Sequence, residues 1–366
     1  MLRSSSVSRF LLGFGIAVAM IATACGGSGG TGSATSSADV GQGALTGAGA
    51  TFPGPFYLKA FADYSARYPQ VTVNYQAVGS GAGISQFQAK TVDFGASDVP
   101  MGSSDIDKAG GASALTQIPT TLGVVAITFN ISGVSSLNLD ADTLSGIYLG
   151  HITKWNDPKL TAINQGTNLP NKSITVIHRS EGSGTTFHFS DYLAKVSDEW
   201  KTKTGSPAKS IKWPTGVGAS GNAAVAQAVQ STDGAIGYVE LAYVIQNNLK
   251  QASLKNANGK LVQASVAGAT AAAATNTNVG PTNFSITNAA CDACYPISGF
   301  SWVMLYSDYS DAQKGRAVVN LFKWLVTSGQ SDSSDLQYAP LPSAVQQLAL
   351  TNLKTIKAGG TTVLAG

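Results

Sequence analysis

The sequence predicts an α/β protein built as two domains. At three separate places a strand or Gly-rich segment leads through Gly, Ser or Thr into a helix start, the alternation that packs helices on a sheet. The length, 366 residues, is ample for two cores. A charged fraction of 12% and a net charge of +3 are ordinary for a globular chain and lack the basic excess of a nucleic-acid binder.

The N-terminus reads as a targeting segment. Arg3 and Arg9 precede an apolar run, Phe10 to Ala24, too short to span a bilayer stably, which predicts a signal peptide over 1–24. The run stops at Ala22-Thr23-Ala24-Cys25, which resembles the lipobox of bacterial lipoproteins, with Ala22 where a Leu is usual. On that reading Cys25 becomes the lipid-bearing first residue and holds the protein to the membrane; the alternative is an ordinary secretory signal cut near the same place. Several acyl chains on one cysteine anchor stably where a single chain is marginal. Cleavage would remove Arg3 and Arg9 and leave 21 basic residues against 20 acidic, so an anion must be attracted locally rather than by net charge. Gly26 to Gly43, rich in Gly, Ser, Thr and Ala, reads as a flexible tether, so 25–43 is expected to be lipid anchor and spacer.

The fold is expected to begin near Ala44. Leu45 to Pro53 reads as a Gly-rich turn leading into a helix with Tyr57, Phe61, Tyr64 and Tyr68 on one stripe, Pro53 and Pro55 suiting its start. Val71, Val73 and Tyr75 alternate along a strand ending in Gly79-Ser80-Gly81-Ala82-Gly83, with a short helix, Ile84 to Lys90, after it. Val92 to Ala96 is a further strand, and Ser97-Asp98 lies just past its end. Ile174 to His178 is a short buried strand; Phe189, Tyr192, Leu193, Val196 and Trp200 recur at helical spacing from about Thr185. Between them lies Arg179-Ser180-Glu181-Gly182-Ser183-Gly184-Thr185-Thr186. The first N–H groups of a helix lack internal partners and carry the positive end of its dipole, so such a junction receives an anion. Two hydroxyls (Ser183, Thr185) and a guanidinium (Arg179) aimed at the same point make it one wall of an oxyanion pocket. None of the three junctions is a Walker A loop, since no Gly-Lys-Ser/Thr follows.

Several stretches, in order, match one family: Leu45 to Pro53, Thr91 to Asp98, Ile147 to Gly150, Gly182 to Thr185, Trp213-Pro214, Gly234 to Glu240, and Tyr338 to Pro342. The chain resembles the phosphate-binding proteins of Pst-type ABC transporters from Ala44 to about Lys357. The resemblance implies a two-lobed periplasmic-binding-protein fold of type 2, each lobe a mixed sheet flanked by helices, enclosing phosphate between them. Two crossing strands, Thr120 to Thr128 and Pro296 to Met304, would join lobe I (44–122 plus 299–366) to lobe II (123–298). It implies as ligands Thr51, Phe52 (through its N–H), Ser80, Asp98, Arg179, Ser183, Gly184 and Thr185, with Glu181, where many members carry Asp, orienting Arg179. Partners would be phosphate and the membrane permease with its ATPase; a monomer without cofactor, metal, nucleic acid or enzymatic activity is expected.

The chemistry of these residues agrees. Hydroxyls and N–H groups donate in any direction and suit a tetrahedral ion, and Arg179 can give two parallel charge-assisted bonds. Asp98 faces an anion without repulsion only if the ligand shares a proton. Phosphate at neutral pH keeps one and sulfate none, so Asp98 would discriminate between them. The bland alternatives are a surface Arg179 pairing Glu181 and Asp98 as a turn or helix cap. Rival functions are a binding protein for another tetrahedral oxyanion, a secreted phosphatase, for which no nucleophile–base pair or two-metal cluster is found, and a surface adhesin.

Other signals carry less. Gly216 to Gly221 is a G-x-G-x-x-G with Glu240 downstream, but Trp213-Pro214 breaks the strand that a dinucleotide site needs before it. Cys291-Asp292-Ala293-Cys294 could be a redox pair or half a zinc site; with no second pair and an exported location, a local disulfide between Cys291 and Cys294 is favoured. His151, His178 and His188 have no metal-ligand spacing, and Ser183 lacks a nucleophile elbow because Glu181 sits where its first Gly belongs.

Overall fold

Gly43–Gly49 (β1), Val71–Ala77 (β2) and Phe94–Ser97 (β3) pair in parallel in the order β2-β1-β3. The computed structural model describes residues 39–364. The signal peptide, Cys25 and most of the expected tether lie outside the described residues. The folded part starts earlier than Ala44: Val40 is buried, and Asp39 pairs with Arg316 across 2.5 Å.

Leu115–Asn130 (β4) is one long strand, buried almost throughout. Its first part, Leu115 to Val124, pairs antiparallel with Ser298–Tyr306 (β8), which also pairs with β3. From Val125 to Asn130 the partner is instead Ala235–Glu240 (β7). β7 runs parallel to Thr175–Arg179 (β5), which in turn pairs in parallel with Val217–Ala219 (β6). The order is thus β2-β1-β3-β8-β4-β7-β5-β6, and β4 carries the chain from one lobe's sheet into the other's. The return is made at Ile297, whose carbonyl accepts from Val125 N at 2.8 Å. The fold is two-lobed, each sheet mixed and flanked by helices.

Helix α1 (Gly54–Arg67) buries Phe56, Tyr57, Phe61 and Tyr64 and stops before Tyr68. Phe61, Tyr75, Phe94 and Phe322 pack edge-on in the first lobe, and Tyr148, Phe189, Trp200, Trp213 and Tyr238 form the aromatic centre of the second. Rings of this size dominate a core and supply most of its buried apolar area.

Several boundaries differ from the sequence reading. Leu45 to Gly49 is strand, with only Ala50 to Pro53 left as the turn. Gly47 is there for packing: a Cβ would lie 2.1 Å from the Phe94 ring. Helix α2 (Ser80–Gln88) starts at Ser80 rather than Ile84 because Gly79, at φ +98°, makes the turn alone. Helix α3 (Gly184–Val196) ends at Ser197, which caps a second helix, Asp198–Thr204, carrying Trp200. Cys291 and Cys294 form a disulfide. No described helix is long and apolar enough to cross a membrane.

Candidate anion-binding site

The chain turns that follow β1, β3 and β5 lie at the carboxyl ends of parallel strands, where open α/β sheets receive ligands. These turns supply Thr51 and Phe52 after β1, Asp98 after β3, and Ser183 to Thr185 after β5, with Arg179 as the last residue of β5 and Ser80 as the first of α2. The two lobes meet there directly. Gly81 N donates to Gly182 O at 2.8 Å and Gly184 N to Ser80 Oγ at 3.1 Å. Gly184 must be glycine for this approach, since a Cβ would stand 2.4 Å from the Asp98 carboxyl. All eight residues expected as ligands are buried.

The Ala50–Phe52 turn is held by three tyrosines. Tyr75 OH donates to Ala50 O at 2.7 Å, Tyr243 OH to Thr51 O at 2.7 Å, and Tyr338 OH to Phe52 O at 2.6 Å. In a planar trans peptide the N–H points opposite the C=O, so pinning the Thr51 carbonyl also fixes the direction of the Phe52 N–H.

Ser183 caps α3, accepting from Thr186 N at 3.1 Å. Arg179 gives Nε to Glu181 Oε1 at 2.9 Å, Nη2 to the same oxygen, and Nη1 to Thr185 Oγ1 at 3.1 Å. Gly221 N also donates to Glu181 Oε1, at 3.0 Å. Glu181 therefore balances the guanidinium, and once Asp98 is ionised the fixed charge around the site is negative by one. An anion bound here would have to be held by oriented dipoles rather than by a spare cation.

Asp98 is 1% exposed. Ser301 donates to its Oδ1, and Ser80 to Oδ2 at 3.5 Å. Burial pushes its carboxyl up to about 7, against the opposing pull of Ser301, Arg179 and Ser80. Ser301 sits on β8 at a register shift, opposite Thr121 with Trp302 opposite Pro119, so Thr120 is the extra residue of a bulge on β4 that admits a proline inside the sheet.

Sequence reasoning missed Ser301, the three tyrosines and Asn222. Asn222 is fully buried near the start of helix α4 (Gly221–Ser231). Its Nδ2 donates to Thr51 Oγ1 at 2.8 Å and Thr185 Oγ1 at 3.1 Å, and its N–H to Thr51 Oγ1 at 3.3 Å. The available signal was the Gly-rich run ending in Ser220-Gly221-Asn222 at a helix start.

The remaining signals find structural places. The G-x-G-x-x-G segment contains strand β6, so it is not the turn of a dinucleotide fold. Glu240 caps the helix Leu241–Gln246, has its Oε2 3.0 Å from the Tyr338 hydroxyl oxygen, and is raised well above the usual range by burial. His178 stacks on Trp213; His188 is buried and lowered to about 4 by desolvation; His151 pairs with Glu199 on the surface. Among the described residues no group of three His, Cys, Asp or Glu could hold a metal.

A family model for the PBP superfamily domain matches residues 32–328. The chain is 40% identical over 302 residues to the phosphate-binding protein PstS of Xylella fastidiosa (strain Temecula1), covering 81% of each chain. It is 42% identical over 318 residues to that of Pasteurella multocida (strain Pm70), covering 85% of this chain and 90% of the relative. Among solved structures, a high-affinity periplasmic phosphate-binding protein bound with phosphate matches with a TM-score of 0.68 at 24% identity, over 84% of this chain and 93% of the other. A phosphate ABC transporter substrate-binding protein from Clostridium perfringens matches at 0.58 and 16% identity, over 82% and 100%, and like the first supports the fold. With the relatives' identity and coverage, these matches make the chain a member of the PstS phosphate-binding proteins, within the PBP superfamily.

Proposed function

We propose that the chain binds inorganic phosphate between its lobes at the extracytoplasmic face and delivers it to the permease of an ABC importer, without chemical turnover. The observation that carries the reading is the convergence, in one buried place, of Thr51, Ser80, Asp98, Arg179 and Ser183 to Thr185 from opposite sides of the β4 crossing. The hydroxyls of Thr51, Ser183 and Thr185, the Phe52 and α3 N–H groups and Arg179 donate to the phosphate oxygens, and Ser80 joins them by turning its hydrogen from Asp98, 3.5 Å away, to the ion. Asp98 accepts the proton the ion carries. Closure removes water and strengthens each bond as the local dielectric falls.

The lobes are taken as 44–122 plus 299–366 and 123–298. Cys25 carries the lipid that holds the protein at the membrane, and the chain works as a monomer. Calorimetric titration of phosphate-stripped protein tests the reading. One phosphate per chain is expected, with sulfate at least about 10³-fold weaker, as a site built on one ligand proton allows. No heat with phosphate, or turnover of a chromogenic phosphate ester, overturns it.

A further inference from the structure

A hydroxyl has one hydrogen to give and two lone pairs to fill. Three hydroxyls of the site have both lone pairs occupied by N–H donors. Ser80 Oγ accepts from Asp98 N at 3.2 Å and Gly184 N at 3.1 Å. Thr185 Oγ1 accepts from Arg179 Nη1 and Asn222 Nδ2, both at 3.1 Å. Thr51 Oγ1 accepts from Asn222 twice, from N at 3.3 Å and Nδ2 at 2.8 Å. Three of these six donated bonds come from one residue.

The direction of the Asn222 amide is fixed by chemistry. Its Oδ1 accepts from Glu240 N at 3.0 Å; turned over, the side chain would set its NH₂ against that N–H. The residue is fully buried, so water cannot take over either role. Both Nδ2 hydrogens therefore go to Thr51 and Thr185, one on each side of the interlobe contact.

We propose that Asn222 is a positioning residue that turns the Thr51 and Thr185 hydroxyls into donors only, so that a tetrahedral oxyanion meets Asp98 as its proton acceptor. This rests on the phosphate reading above and adds a residue to it. Without the Asn222 amide each threonine hydroxyl keeps one donor, Arg179 Nη1 for Thr185 and the backbone N–H of residue 222 for Thr51, but one lone pair opens and its hydrogen can turn away from the ligand. A free lone pair would also let either threonine accept a ligand proton and compete with Asp98. Asn222 further ties Thr51 to the second lobe, so the arrangement is complete only when the cleft is shut.

The test is a double-mutant cycle read as phosphate Kd by calorimetry. Asn222→Ala in the otherwise unaltered chain is expected to weaken binding about tenfold or more, the scale of lost bonds to a charged group. In a Thr51→Val, Thr185→Val background the same change is expected to cost less than about threefold, because no hydroxyls remain to orient. A merely structural asparagine would cost the same in both backgrounds, and that result overturns the proposal. Asn222→Asp keeps an acceptor for the Glu240 amide and goes through the same cycle, so a poorly folding alanine variant leaves the proposal exposed to refutation. If the unaltered chain binds no phosphate, the phosphate reading fails and this proposal with it; if it binds and the cycle is additive, this proposal alone fails.

Discussion

Replacing Asp98 by Asn should exchange a site that rejects sulfate for one that scarcely distinguishes it from phosphate. On the proposed binding mode the phosphate O–H would meet the Asp98 carboxylate, which is held by Ser301 and Ser80 and almost fully buried. Losing that charge-assisted bond costs about 1.5–3 kcal/mol, or about one to two decades of phosphate affinity. Sulfate has no proton to offer and meets the same carboxylate as a like charge. Two unit charges about 4 Å apart in an environment of effective dielectric about 20 repel by about 4 kcal/mol, so neutralising one should return about three decades of sulfate affinity. Together the phosphate-to-sulfate ratio should fall by about 10⁴-fold, measured by calorimetry at pH 8. The pH dependence has a definite sign. Burial raises Asp98 to about 7, so the group is ionised above that pH and neutral below it. Sulfate should bind the unaltered chain more tightly as pH falls through about 7, with proton uptake, and bind Asp98→Asn with no such slope. A ratio that stays within about tenfold of the parent's, or sulfate binding to the parent that is flat in pH, would refute the proton-checking role.

Gly184→Ala places a methyl 2.4 Å from the Asp98 carboxyl and should hold the lobes apart. Phosphate affinity should fall by about a hundredfold while thermal unfolding of the phosphate-free protein barely moves; binding near the parent's would show that the close approach is not needed. Phosphate affinity should stay flat, or rise slightly, from low to high sodium chloride, because Glu181 and Asp98 outweigh Arg179; a steep fall in the same titrations would reveal an unbalanced cation. Cys25→Ser should move the protein from the sedimented membrane fraction into the soluble one, and retention on membranes would refute the lipid anchor. Reducing Cys291–Cys294, partners only three residues apart, should cost about 2 kcal/mol or less by loop entropy, a shift of a few degrees in calorimetry; a much larger drop would mean the bridge holds more than its own turn.

What the sequence disclosed and what it withheld divide by distance along the chain. The β5 strand, the Arg179-to-Thr186 junction and the α3 stripe were legible because each signal lies within a few residues of the structure it specifies. Leu45 to Gly49 misled for the converse reason. Its glycines look like a turn, yet parallel pairing on both edges, to β2 and β3, overrides a local preference worth about 1 kcal/mol per glycine. The groups that aim the ligands are remoter still. Asn222 stands 171 residues from Thr51, Ser301 203 from Asp98, and Tyr338 286 from Phe52. No local pattern marks an asparagine as the residue that fills two threonine lone pairs, since that role exists only once β4 has carried the chain across into the second lobe. A buried hydroxyl without those partners would be as free to accept as to donate. Donor types can therefore be read from a motif, but the direction in which they donate belongs to the fold, and in the proposed phosphate site that direction would separate a general anion hole from one that asks for a proton.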